Sequence, residues 1–334
     1  MRFNPSAKVQ VASLLSGLLL LCGSANAQIV KLDGSSTVYP VSEAVAEDFQ
    51  KMKKNAIKVT VGISGTGGGF KKFCRGEIHI ANASRPILKK EMEDCKAAGI
   101  QYVELPVAFD ALTVVVHPKN TFLKSITVEE LKKIWEPAAQ GKITKWSQVN
   151  PAWPDTPLKL FGPGADSGTF DYFTEAVVGK SKSSRGDYTA SEDDNVLVQG
   201  VSRDTGAIGY FGFAYYVENK AKLRAVPIVE KAGQPAVEPS FDNVVKGIYQ
   251  PLARPIFIYV SEKALELAEV REFTEYYLKH GAKLSKEVKY VPLPDRAYAI
   301  GLEHIQKRKL GTVFGGVAEV GVTIDELLKR EGKL

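Results

Sequence analysis

Four times in this chain an apolar strand ends in a turn of glycines and hydroxyl residues and runs straight into a helix. That repetition constrains the fold more than any other feature. The clearest copy is Gly162-Pro163-Gly164-Ala165-Asp166-Ser167-Gly168-Thr169-Phe170-Asp171-Tyr172-Phe173. The apolar run Leu158 to Phe161 before it reads as a strand end, and the apolar residues from Phe170 to Val178 recur at helical spacing. Ile29 to Leu32 likewise leads into Asp33-Gly34-Ser35-Ser36-Thr37-Val38-Tyr39-Pro40. Ile57 to Ile63 leads into Ser64-Gly65-Thr66-Gly67-Gly68-Gly69, and Ile78 to Ala81 into Asn82-Ala83-Ser84-Arg85-Pro86. Small residues let a backbone approach a ligand closely, and the first N–H groups of a helix point outward, where they attract an anion. For any one such turn, an ordinary helix cap is an equally good reading.

The rest of the chain fits an α/β architecture with mainly parallel strands, in which ligands sit at the carboxyl ends of the strands. Helices are expected from Pro40 through Met52, over about Lys89 to Ala98, over Thr127 to Ile134 with Thr127 as cap, and from Ser191 through Val201. Others are expected over Ser261 to Lys279, Asp295 to Lys307 and Ile324 to Arg330. Trp146 to Pro157 reads as a connection, and Gly206 to Tyr216 as an aromatic strand and turn. Two long apolar runs, Val103 to Val116 and Pro251 to Val260, can each pass from one lobe to another. The 334 residues are enough for two cores with a cleft between them.

The first segment reads as an export signal outside the fold. Arg2 and Lys8 precede an apolar run from Val11 to Leu21, and Ala25-Asn26-Ala27 supplies small residues for cleavage after Ala27. A lipidated Cys22 is the weaker alternative, because Leu21 rather than a small residue precedes it. Removing residues 1–27 takes two positive charges from a net charge of +6. The remainder is weakly basic with scattered lysines, which suits small anions and not nucleic acid, where clustered Lys/Arg with interleaved aromatics would be expected. Cys74 and Cys95 then remain as an even pair, read as one disulfide, with two buried thiols as the alternative. No spacing of Cys and His marks a metal site, and no cofactor is expected.

Together the turns supply Ser35, Ser36, Thr37, Ser64, Thr66, Ser84, Arg85, Asp166, Ser167 and Thr169. A P-loop would need Gly-Lys-Ser/Thr after its glycines, but Phe70 follows Gly69. Neither Ser64 nor Ser167 lies in Gly-x-Ser-x-Gly, and no histidine is nominated as a partner, so a hydrolase is the poorer reading. A tetrahedral oxyanion needs many short neutral donors, and one guanidinium, Arg85, to clamp two oxygens. Asp166 facing such an anion would repel it unless the anion still carries a proton to donate, as phosphate does at neutral pH and sulfate does not. Asp166 as a simple helix cap is the plainer alternative.

These four motifs, in this order, resemble the periplasmic phosphate-binding proteins of the ABC phosphate importer, the PstS family, from about residue 28 to about 330. The resemblance implies a two-lobed periplasmic-binding-protein fold of the type II kind, with residues 28–112 and 258–334 forming one lobe and 113–257 the other. It implies a monomeric receptor, not an enzyme, that buries inorganic phosphate in the cleft and docks on a membrane permease. The ligand set it implies is Thr37 and the N–H of Val38, Ser64 or Thr66, Ser84, and Ser167, Gly168 and Thr169; Ser36, a hydroxyl of the same first turn, is a further candidate. In some members an acidic residue follows the third-turn serine and an arginine precedes the Ser-Gly-Thr turn. Here Arg85 and Asp166 occupy those places with the charges exchanged, so their roles as clamp and proton acceptor rest on chemistry. The rivals are a receptor for sulfate, molybdate or a phosphonate, and a secreted phosphatase.

Overall fold

The computed structural model describes residues 28–165, 167–191, 193–317 and 319–333. The proposed leader with Cys22, and Asp166, lie outside the described residues. The first strand–turn–helix units are β1 (Gln28–Gly34), α1 (Tyr39–Met52), β2 (Ile57–Val61), α2 (Gly65–Cys74), β3 (Ile80–Ala83) and α3 (Lys89–Ala97). Helix α1 starts with Pro40 in its first turn and buries Val41, Val45 and Phe49, the apolar stripe of the sequence. The glycines expected as a turn before Phe70 instead form the opening of α2, which starts at Gly65. A disulfide joins Cys74 at the end of α2 to Cys95 in α3.

Strand β4 (Tyr102–Val116) is buried along its whole length. Beyond it come β5 (Ile126–Thr127), α4 (Val128–Trp135), α5 (Trp146–Val149), β6 (Lys159–Pro163), α6 (Gly168–Phe173), β7 (Thr189–Ser191), α7 (Asp194–Arg203), β8 (Ala207–Gly212), α8 (Phe213–Glu218), β9 (Arg224–Ala225), β10 (Ile228–Val229) and α9 (Phe241–Val245). The chain returns through β11 (Ala253–Ser261) and closes with α10 (Ala268–Glu287), β12 (Val291–Pro292), α11 (Asp295–Lys307) and α12 (Ile324–Glu331). Thr127 caps α4 as expected, in a reciprocal box: Glu130 N donates to Thr127 Oγ1 at 3.0 Å, and Thr127 N donates to Glu130 Oε2 at 2.9 Å. Such a cap is worth about 1 kcal/mol. The expected helix from Ser261 is interrupted by a 3-10 turn, Lys263–Glu266, before α10 begins. The expected connection from Trp146 opens with the short helix α5.

The main sheet runs β2-β1-β3-β11-β4-β8-β6-β7. Strands that feed the four turns pair in parallel, β1 with β2 and β3, and β6 with β7 and β8. The crossover strands make the sheet mixed and not mainly parallel, since β11 is antiparallel to β3 and β4, and β4 is antiparallel to β8. Residues Tyr102 to Ala111 of β4 pair with β11, and Leu112 to Val116 pair with β8, so one strand serves both halves. A register shift beside Pro106, which has no N–H to give, bends this ladder. In the second half, Trp135 packs edge-on against Phe173 and Tyr210, and Phe173 stacks on Tyr210 with ring centroids 3.6 Å apart. That aromatic wedge fixes α6, and with it the fourth turn, against β6 and β8.

Candidate functional site

All four turns lie at the carboxyl ends of parallel strands, where a strand's end and the next helix's start leave polar backbone facing the same space. The first is drawn to the third by Ser35 N, which donates to Asn82 O at 2.9 Å. Gly34 has φ +138, and a Cβ there would strike the carbonyl of Asn82, so only glycine permits this approach. Thr37 follows, buried, with its carbonyl accepting from the Tyr290 hydroxyl at 2.7 Å. Val38 is the N-cap of α1 and has no side-chain cap bond; its side chain is in the core, and Ser36 is half-buried.

Of the two candidates in the glycine turn, Thr66 faces the third turn. Its hydroxyl is 3.0 Å from Ser84 Oγ and accepts from Ser84 N at 3.2 Å. Ser64 turns the other way, donating to Asp33 at 2.5 Å, and Lys72 holds the other oxygen of that carboxylate at 2.6 Å.

The fourth turn comes from the opposite half and meets the others directly. Ser167 caps α6 by accepting from Thr169 N at 3.2 Å. Thr169 Oγ1 lies 3.3 Å from Thr37 Oγ1. A Cβ on Gly168 would collide with Ser84 Oγ and come within 3.3 Å of Ser35 Oγ. Thr37, Thr66, Ser84, Ser167, Gly168 and Thr169 are therefore brought together from both halves of the molecule.

Arg85, expected as the clamp, has both terminal nitrogens on Glu91, at 2.8 and 2.9 Å, and a third bond to the carbonyl of Pro86. Burial pulls its pKa down, but Glu91 more than offsets this and the net shift is upward. The guanidinium that reaches the junction belongs to Arg254, which was not singled out in the sequence. It is almost wholly buried, and so is its partner Asp110, directly opposite on β4. Its Nη2 lies 3.1 Å from Asp110 Oδ2, 3.2 Å from Thr37 Oγ1 and 3.4 Å from Thr169 Oγ1, while Nη1 donates to Gly168 O at 2.6 Å. Burial pushes the Asp110 carboxyl up, against the downward pull of Arg254. The sequence carries only a partial signal for this pair: Arg254 is the one charge in Pro251 to Val260, and a charge so placed needs a partner, but Val103 to Val116 offers both Glu104 and Asp110 and does not say which.

His79 accepts from Lys31 N at 3.2 Å, and His304 lies 3.1 Å from the carbonyl of Glu331, so neither serves as a base for a turn serine. Among the described residues no group of three or more His, Cys, Asp or Glu is placed to hold a metal, and no helix is long and apolar enough to cross a membrane.

Residues 23–280 match the PBP superfamily domain. The "Phosphate-binding protein PstS" of Staphylococcus saprophyticus is 38% identical over 289 residues, 86% of this chain and 85% of that protein. The chain belongs to the PstS family. Protein SphX of Synechococcus elongatus, a family relative, is 59% identical over 309 residues, covering 92% of this chain and 90% of its own length. Among solved structures, a possible phosphate binding protein from Planctomyces limnophilus superposes with a TM-score of 0.69 at 49% identity, covering 84% of this chain and 98% of that one. A putative phosphate ABC transporter substrate-binding protein from Clostridium perfringens, solved with bound phosphate, gives 0.65 at 27% identity, covering 80% and 100%. The two-lobed PstS architecture is thus the one this chain adopts, with the fourth turn meeting the first three from the opposite half.

Proposed function

We propose that this protein is an exported receptor that captures inorganic phosphate between two lobes and delivers it to the membrane permease of an ABC transporter, without a chemical step. The observation that carries the reading is the meeting of hydroxyls from opposite halves, Thr37 and Thr169, 3.3 Å apart, beside Gly168, which abuts Ser84 and through it Thr66, and Ser167, which accepts from Thr169 N. Neutral donors of this density can replace the hydration of a tetrahedral anion, and their burial makes each bond count. The proposed ligands are these five side chains with Ser36 and the backbone at Val38 and Gly168. Ser64 and Arg85 join them only by leaving Asp33 and Glu91. Asp166 is proposed as the acceptor of the phosphate proton.

We take residues 28–112 with 258–334 as one lobe and 113–257 as the other, a division supported by the switch of β4 from one half to the other after Ala111. Isothermal calorimetry of the protein, unfolded and refolded to strip retained ligand, tests the reading. Saturable one-site phosphate binding with little response to sulfate is expected. Heat from sulfate or molybdate but none from phosphate would assign another oxyanion. Sustained product release from a chromogenic phosphate ester would overturn the receptor assignment.

A further inference from the structure

We propose that Arg254 is the positioning residue of this site: from its place on a crossover strand, held by Asp110, it fixes the hydroxyls of Thr37 and Thr169 as donors toward the bound anion and fastens the lobes together. The inference rests on the phosphate reading above. Three features of the geometry carry it.

First, the guanidinium belongs to neither turn, yet bonds both. It reaches Thr37 Oγ1 from one half, and Thr169 Oγ1 and the carbonyl of Gly168 from the other. On the division proposed above Arg254 lies with Gly168 and Thr169, so its bond to Thr37 is the one made only when the halves are together.

Second, arginine has donors and no acceptor, so a hydroxyl it bonds accepts from it; with one Nη2 hydrogen on Asp110, the other is shared between Thr37 Oγ1 and Thr169 Oγ1. A hydroxyl that accepts from a cation directs its own hydrogen elsewhere. Thr37 and Thr169 can spend one hydrogen between them across their 3.3 Å separation, which leaves the other free to turn to the ligand. The pair thus becomes an obligatory donor, suited to an anion oxygen and unsuited to a ligand hydroxyl presented as a donor.

Third, the guanidinium is held from below and beside. Asp110 takes Nε at 3.3 Å and Nη2 at 3.1 Å, and the ring of Tyr172 lies 4.9 Å from its Cζ. The Tyr172 hydroxyl in turn lies 2.8 Å from the carbonyls of both Pro251 and Ala253, next to Arg254 in the chain. Asp110 also cancels the charge, so Arg254 acts by direction and not by adding a free cation to the pocket.

A double-mutant cycle on the full-length chain, read by calorimetry with phosphate, tests this. Arg254→Gln combined with Asp110→Asn removes both charges at once and leaves no lone ion buried. It is expected to weaken phosphate binding by about ten- to hundredfold. In a Thr37→Val, Thr169→Val background, the same change is expected to cost less than about threefold, because the hydroxyls it orients are gone. Where the paired variant does not fold by circular dichroism, Arg254→Lys keeps the charge without the fork and is expected to show the same coupled loss. Full, additive losses in the valine background would overturn the inference, as would parental affinity in a folded Arg254 variant. A parent that binds no phosphate would overturn the phosphate reading itself, and this inference with it.

Discussion

At the residue scale, one close approach between the halves depends on an atom that is missing. Gly168 sits where any side chain would meet Ser84 Oγ. Gly168 opens α6 and a methyl there would clash with Ser84 wherever the halves touch, so Gly168→Ala should not raise, and is expected to lower, the melting temperature of the ligand-free protein. Phosphate affinity should also fall at least about tenfold, since the added methyl wedges the lobes apart. A thermal melt without ligand and a calorimetric titration check the two halves of that statement. Asp166→Asn is expected to keep phosphate binding measurable while raising the response to sulfate, because an amide can donate where the carboxylate can only accept. Equal discrimination in parent and variant would remove Asp166 from the choice between the two anions. The turns announced themselves in the sequence because glycine and hydroxyl residues cluster locally. Arg254 and Asp110 did not, because their pairing joins positions that only the sheet register makes neighbours.

At the scale of elements, strands and helices were legible where local periodicity and capping agree. Helix α4 behind Thr127 and helix α11 fall where the pattern places them. Helix α2 was misread because four glycines lower helix propensity, whereas packing of Phe70 and Phe73 into the core holds the segment helical from Gly65 onward. The disulfide adds to that hold. It ties the end of α2, whose start carries Thr66, to α3, whose first turn carries the Glu91 that binds Arg85. A loop closed across a sequence separation of 21 should contribute roughly 3 kcal/mol to stability. Paired Cys74→Ser and Cys95→Ser substitutions should lower the denaturation midpoint accordingly, and phosphate affinity should fall less than it does on changing Thr169. A midpoint insensitive to both substitutions would mean that α2 and α3 are held by packing alone.

Over the whole molecule, the alternation of strands and helices pointed to α/β, and the two long apolar runs pointed to a crossing between lobes. The mixed sheet order was not visible, since strand direction depends on which distant run lies alongside. Nor was the way the C-terminal helix is anchored. Buried Glu104 on β4 accepts from the Tyr259 hydroxyl at 2.5 Å and from Val313 N at 3.0 Å, and burial pushes its pKa up to about 7. Glu331 at the end of α12 is buried with its carboxylate 3.5 Å from His304 Nδ1, and neither of its oxygens has a hydrogen-bond partner among the described residues. Burial, then the Glu104 charge, pushes Glu331 up to about 9. The folded protein therefore keeps protons that the unfolded chain has already released above the ordinary carboxylate value of 4.5. Unfolded carboxylates bind fewer protons throughout that window, so stability falls as pH rises and levels off above about 9. His304 works on the other side: burial lowers its pKa from 6.5, so stability is lost again as pH falls below that value. Glu331→Gln keeps the shape and removes the titration. Its melting temperature should fall less steeply between neutral pH and about 9 than the parent's, with the largest advantage at the alkaline end. Parallel melting curves for the two proteins across that range would show that Glu331 already ionises in the folded state and that α12 tolerates the charge.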